Sequence, residues 1–397
     1  MASTDLSLSL DKYAGAPHVS ASVSSAARIP ELDGLRGLAI LLVILCHYVA
    51  NAEHGELGFW PRHVISAFAA GWSGVDLFFV LSGFLIGGIL LDARGSPKYF
   101  RAFYLRRVHR ILPIYYLWIS FYLVLICGAL WLTPGQYTIT RPELTQIPLQ
   151  IFFLQNVHYG MPHFTWVWFA VTWSLAVEEQ FYLVAPPLIR FVPLRKIIYI
   201  LIATICLAPF LRFMLFHYWF PGTLAANFSM PCRADGLAWG ILLAAAWRQE
   251  WFAALLEKHF LVVRWAVLGL FLGVCGLLWW LAHPVSTVTV TIGYSWLALF
   301  YGGLMILVLS QKGAWIAGAM RWKPLQKLGT ISYCVYIIHS TLNHLAHEIL
   351  LHADPEIQDA KGVAVTLLAL MLTLAVASLS WRYFEKPLIR RGHSYEY

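Results

Sequence analysis

Two ionisable side chains stand in the apolar run LRGLAILLVILCHYVA, residues 35–50: Arg36 and His47. A histidine can take and return a proton near neutral pH, and an arginine offers a planar fork for phosphate or carboxylate. Eleven residues on a helix are very nearly three turns, a rise of about 16 Å. The two groups therefore share one face, one above the other. Ionisable groups at membrane depth are costly and usually face a polar cavity or a partner. The plainer reading is that Arg36 snorkels to one interface while His47 caps the other end. Asp33 lies in the first turn, suits the helix dipole there and is within reach of Arg36.

Four further clusters carry chemistry. In WSLAVEEQFYLVAPP, residues 173–187, Glu178 and Glu179 sit at the heart of an apolar run. Adjacent helical residues point about 100° apart, so the two carboxylates serve different faces. Ser174, Glu178 and Tyr182 follow i, i+4 spacing and share a face. Such a carboxylate can orient a histidine and support its imidazolium, with Glu178 the first choice and Glu179 the second; a helix-tying network is the structural alternative. In VDLFFVLSGFLI, residues 75–86, Asp76 opens a span and is ambiguous between dipole stabilisation and substrate contact. Arg101, Arg106, Arg107 and Arg110 with His109 form a patch suited to phosphates, although anionic lipid headgroups would satisfy it equally. In LGTISYCVYIIHS, residues 328–340, Ser332, Tyr336 and His339 fall along one side, for packing or substrate contact, with His339 as a second catalytic residue the less favoured alternative. Glu385 is expected to pair with an arginine. No glycine-rich phosphate loop, HExxH, nucleophile elbow or zinc spacing is present, so no metal is expected.

The elements that must position these groups follow from composition. The 397 residues are 59% hydrophobic and only 12% charged. Soluble domains run at about 45–50% apolar and about 25% charged. This chain lacks the charge to cover itself in water, which predicts an all-α, polytopic membrane bundle. Apolar runs suggest about ten spans: 35–51, 69–91, 111–132, 165–188, 197–214, 233–247, 263–282, 290–310, 328–350 and 362–381. Pro186, Pro187 and Pro209 interrupt runs, as membrane helices tolerate. Arginine and lysine gather in 92–110, 190–196, 248–264, 311–327 and the C-terminal tail, while the opposite connections carry Arg62, Arg141 and Lys361. That asymmetry places both termini in the cytoplasm. The net charge of +8 then belongs to the membrane surface, and no nucleic-acid partner is expected. Residues 1–27 read as a disordered tail and 392–397 as a short cytoplasmic one. The six cysteines read as small buried hydrophobes. Tryptophans 60, 72, 166, 168 and 173 lie near the outer opening, where interface anchoring and sugar stacking both suit them. A proton-coupled transporter is the alternative that multiple spans with intramembrane Arg, His and Glu would also fit.

The motifs ELDGLRGLAILLVILCHY, GVDLFFVLSGFLI, RRVHRILP, WSLAVEEQFYLVAP, CRADGLAWG, ISYCVYIIH and WRYFEKP together resemble the membrane-bound acyltransferase-3 family of bacterial sugar and macrolide O-acyltransferases. The resemblance runs over residues 28–391. It implies O-acylation of an envelope carbohydrate, glycolipid or glycosylated metabolite in the bacterial cytoplasmic (inner) membrane. The donor implied is cytoplasmic acyl-CoA, acetyl-CoA first, as a co-substrate with no permanently bound cofactor. His47 would be the general base assisted by Glu178, with Arg36 and the 101–110 arginines holding the donor's phosphates. Arg233 and Asp235 join Asp76, Ser174, Tyr336 and His339 as candidate substrate contacts.

Overall fold

The computed structural model of the chain describes residues 29–52, 65, 67–132, 147–159, 170–281, 286–310 and 314–397. The tail 1–27, Arg62, Arg141 and tryptophans 60, 166 and 168 lie outside the described residues. Among the described residues there is no extended strand. The long helices are α1 (Pro30–Leu45), α2 (Gly74–Asp92), α3 (Tyr99–Leu132), α4 (Trp173–Phe191), α5 (Leu194–Met214) and α6 (Met230–Trp247). They continue with α7 (Glu250–Leu281), α8 (Tyr294–Ser310), α9 (Lys323–Leu351) and α10 (Ala360–Ser380), and a short α11 (Lys386–His393) closes the chain. Lipid offers the backbone no hydrogen bonds, so helix is the form in which such apolar runs can cross.

Among the described residues seven helices are long and apolar enough to span a membrane. The other three long helices, α4, α6 and α9, fall short on apolarity, and they are the ones that carry Glu178, Arg233, Asp235 and His339. Each run read from the sequence overlaps one long helix. Pro186 and Pro187 lie inside α4 and Pro209 inside α5. The protein is an integral, multi-pass membrane bundle. Its core is α1, α2, α6 and α9, and α7 is peripheral, with only 6% of its apolar window buried. Cys46, Cys232 and Cys334 are buried, but Cys127, Cys206 and Cys275 are exposed on the outer faces of their helices, so the reading of all six as interior residues fails. A lipid-facing surface accepts a small thiol as readily as a core does.

Close backbone approach sets the site's geometry. A Cβ on Gly83 of α2 would run into the carbonyl of Leu237, and one on Gly240 of α6 into the carbonyl of Val80. Small residues are what allow membrane helices to approach this closely. The α2–α6 pair is also clamped at both ends, by Arg233–Asp76 (2.7 Å) and by Arg248–Asp92 (2.7 Å). The two helices thus run parallel. Helices α1 and α9 cross closely near their starts, where a Cβ on Gly37 is blocked by the Leu325 carbonyl and one on Gly329 by that of Asp33, and they are likewise parallel, since His47 and Tyr48 meet His339 further along both. Gly240→Leu is therefore expected to destabilise the bundle by about 3 kcal/mol or more. A lowered unfolding midpoint and lost monodisperse protein in detergent would register it.

Candidate functional site

A cavity of about 170 Å³ opens between α1, α2, α3, α4 and α9. At one end it collects Arg36 from α1, Arg107 and Arg110 from α3, and Glu178 and Tyr182 from α4. Part of its lining is apolar, with Phe78, Phe79, Leu81 and Ile86 of α2. Its lining also includes Ser174, Ser332 and Tyr336. Arg36 is held by Asp33 at 3.1 Å, the pairing anticipated from the first turn. Arg107 and Arg110 form no ion pair among the described residues, and the buried Nε of Arg107 has no hydrogen-bond partner there. Three guanidiniums thus face two carboxylates, Asp33 and Glu178, and the excess charge suits an anion.

The structure brings Glu178 to the arginines rather than to His47. Tyr182 donates to Glu178 (3.4 Å), and the Tyr182 and Ser82 hydroxyls are 2.8 Å apart. Glu179, on the neighbouring face, lines no part of the cavity. Arg101 is exposed. Arg106 leaves the phosphate patch for the chain's end: its Nε donates to the Tyr395 carbonyl (2.8 Å) and its guanidinium lies 4.6 Å from the Tyr397 ring. Adjacent residues on α3 point about 100° apart, so Arg106 and Arg107 serve different faces, and Arg110, between them in direction, reaches the cavity with Arg107. Residues 392–397 accordingly lie against α3, with Gly392 packed on His109. Glu385 accepts from Ser380 (3.0 Å) and makes no ion pair with an arginine among the described residues.

His47 occupies a π-helical turn, Cys46–Ala50, that continues α1. Such turns are frequent at functional sites because they rotate a side chain off the regular helical register. Its Nδ1 lies 2.9 Å from the Val43 carbonyl. A carbonyl only accepts, so the proton sits on Nδ1 and Nε2 carries the free lone pair. The His47 ring meets that of His339 edge-on, with centroids 4.9 Å apart and planes at 77°. His339 is in turn 5.8 Å from Tyr336, the tyrosine at the cavity wall. Tyr336 donates to the Val171 carbonyl (2.8 Å) and receives Ser174 Oγ–H (2.7 Å). Tyr336 thus stands between the cavity, whose wall it shares with Ser174, and the two histidines.

A second polar cluster ties the helices beside this path. Asp76 pairs with Arg233, whose guanidinium stacks 3.7 Å from the Tyr294 ring centroid. Asp235 pairs with Arg212 of α5 at 2.9 Å and accepts from Ser295 (2.5 Å). None of Asp76, Arg233 and Asp235 lines the cavity, and all three are buried among protein partners. Arg212 is fully buried and was missed from sequence, although a lone arginine in the apolar run CLAPFLRFM is a visible signal. Asp235→Ala strands that arginine, which is expected to cost about 3–5 kcal/mol and to lower the unfolding midpoint measured in detergent. Among the described residues no group of His, Cys, Asp and Glu is placed to hold a metal.

A multi-span helical bundle with buried arginines and histidines defines the class as a polytopic membrane protein with a polar intramembrane site. The chain belongs to the acyltransferase-3 family, whose model, described as an acyltransferase domain, matches residues 29–382. It is 26% identical over 389 residues to the peptidoglycan O-acetyltransferase OatA of Listeria monocytogenes, covering 92% of this chain and 56% of that protein. It is 27% identical over 390 residues to the putative peptidoglycan O-acetyltransferase YrhL of Bacillus subtilis, covering 92% and 55%. The O-acetyltransferase OatA of Staphylococcus aureus is 27% identical over 390 residues, with 92% and 58% covered. The chain thus spans little more than half the length of these relatives. No solved structure gives a significant match.

Proposed function

We propose that the protein is an O-acyltransferase that moves an acyl group, acetyl first, from an acyl-CoA thioester to a hydroxyl of a cell-envelope carbohydrate. One arrangement carries the reading: a cavity with three arginines at one end and Ser174 and Tyr336 in its wall, with the His47–His339 pair one ring beyond. Family membership and O-acetyltransferase relatives support it. Arg36, Arg107 and Arg110 would hold the donor's phosphates, which guanidiniums recognise by paired hydrogen bonds. The apolar part of the lining would take the pantetheine arm. His47 Nε2 would remove the acceptor's hydroxyl proton as that oxygen attacks the thioester carbonyl. The C–S bond then breaks, and the proton on His47 passes to the leaving thiolate. The products are an ester and free coenzyme A, with no net proton uptake.

Glu178 takes a different role from the one its sequence suggested: it balances the arginine charge and, with Tyr182 and Ser82, fixes the cavity's polar end. The positive-inside pattern supports an orientation with the arginine end at the cytoplasmic face and the histidines toward the outer face of a bacterial inner membrane. The test is purified protein in nanodiscs, supplied with acetyl-CoA and a panel of envelope glycans. Release of free coenzyme A together with glycan heavier by one acetyl group is expected. Solute uptake into proteoliposomes with no acylated product would instead identify a transporter.

A further inference from the structure

We propose that His339 is a positioning residue whose unprotonated Nε2 accepts a hydrogen bond from His47 once His47 has taken up a proton. The inference rests on the reading of His47 as the base. His339 is fully buried. Its Nδ1 lies 2.7 Å from the Tyr336 carbonyl and 3.2 Å from that of Val335. Both partners only accept, so Nδ1 bears the proton and Nε2 is a bare acceptor. That Nε2 has no partner among the described residues. Buried acceptors are nearly always satisfied, and an orphan calls for an explanation.

The tautomer of His47 supplies one. With both histidines neutral and protonated on Nδ1, both Nε2 atoms are acceptors and no hydrogen bond can join them. When His47 Nε2 takes the acceptor's proton, it becomes a donor, and the neighbouring ring, 4.9 Å away between centroids, offers an acceptor that has no partner among the described residues. The contact is then made in the charged state and not in the resting one, which is the condition for an interaction to accelerate a step. Among the described residues no carboxylate forms an ion pair with either ring. Tyr48 donates to the His339 carbonyl (3.0 Å) and bonds Thr373 of α10 (2.9 Å), and His344 directs its Nδ1 to the Ser340 carbonyl (2.9 Å). The tight glycine contacts between α1 and α9 hold the two rings in register.

The experiment compares His339→Phe with His339→Gln in the acetyl-transfer assay, with kcat and both KM values read separately. Phe keeps the bulk and loses the lone pair; the Gln side-chain oxygen restores an acceptor. The expected result is a fall in kcat of roughly 10- to 100-fold for Phe, the factor carried by a hydrogen bond to a charged group, with KM for acetyl-CoA unchanged. Gln should recover most of that loss. Wild-type kcat in His339→Phe, or an equal loss in His339→Gln, overturns the proposal. Unfolding midpoints establish that each variant is folded, and His339→Leu replaces Phe if the Phe protein is not. His47→Ala is assayed alongside: if it is fully active, the base assignment itself falls, whereas an inactive His47→Ala beside an active His339→Phe removes only the pairing.

Discussion

His47→Ala is expected to lower kcat for acyl transfer by roughly 10²- to 10⁴-fold, the usual contribution of a general base. The loss should fall on the chemical step alone. His47 lies about three helical turns from Arg36, so the donor's charged end is bound far from the substitution. Coenzyme A binding, followed by equilibrium titration, should therefore stay at the wild-type value while transfer disappears. A protein that loses both together would show that His47 supports the fold of the cavity rather than the reaction. His47→Gln sharpens the point: its amide can keep a hydrogen bond to the Val43 carbonyl yet cannot take a proton near neutral pH.

The second large effect is expected at the arginines. Arg107→Gln and Arg110→Gln should each raise KM for acetyl-CoA by about tenfold to a hundredfold while changing kcat far less, because each removes charge-assisted hydrogen bonds to a bound anion. Lysine at either position should restore only part of the affinity, since a point charge cannot reproduce the planar fork. Arg101, exposed and outside the cavity, provides the contrast: Arg101→Gln should leave KM unchanged. Initial rates over a range of acetyl-CoA concentrations decide this. Equal effects at Arg101 and Arg107 would make the basic patch a lipid anchor and not a donor site.

Much of this architecture can be read in the chain before any coordinates. The shortage of charge implies lipid, the apolar runs locate the long helices, and Arg36 and His47 announce themselves as ionisable groups inside such a run. The Asp33–Arg36 contact is legible because it is local, three residues apart on one helix. The contacts that escape are those set by rotation and depth of one helix against another. Glu178 shows its face by i, i+4 spacing, but which neighbour meets that face depends on how α4 lies against α2 and α3. His47 and His339 are 292 residues apart and meet because α1 and α9 pack backbone to backbone at Gly37 and Gly329. The π-helical turn that presents His47 has no sequence signature. Arg106 looks identical to Arg107 in the motif RRVHR, yet one residue's step around α3 sends it to Tyr395 and Tyr397 instead of the cavity.

The most direct measurement is a single-turnover reaction of purified protein in nanodiscs, with excess enzyme over radiolabelled acetyl-CoA and an envelope glycan as acceptor. Label on the glycan and free coenzyme A are followed together, in wild type and His47→Ala. The account predicts that label and coenzyme A appear in step for the wild type, and that neither appears for folded His47→Ala with acetyl-CoA bound. Label reaching the glycan at the wild-type rate in His47→Ala would contradict it.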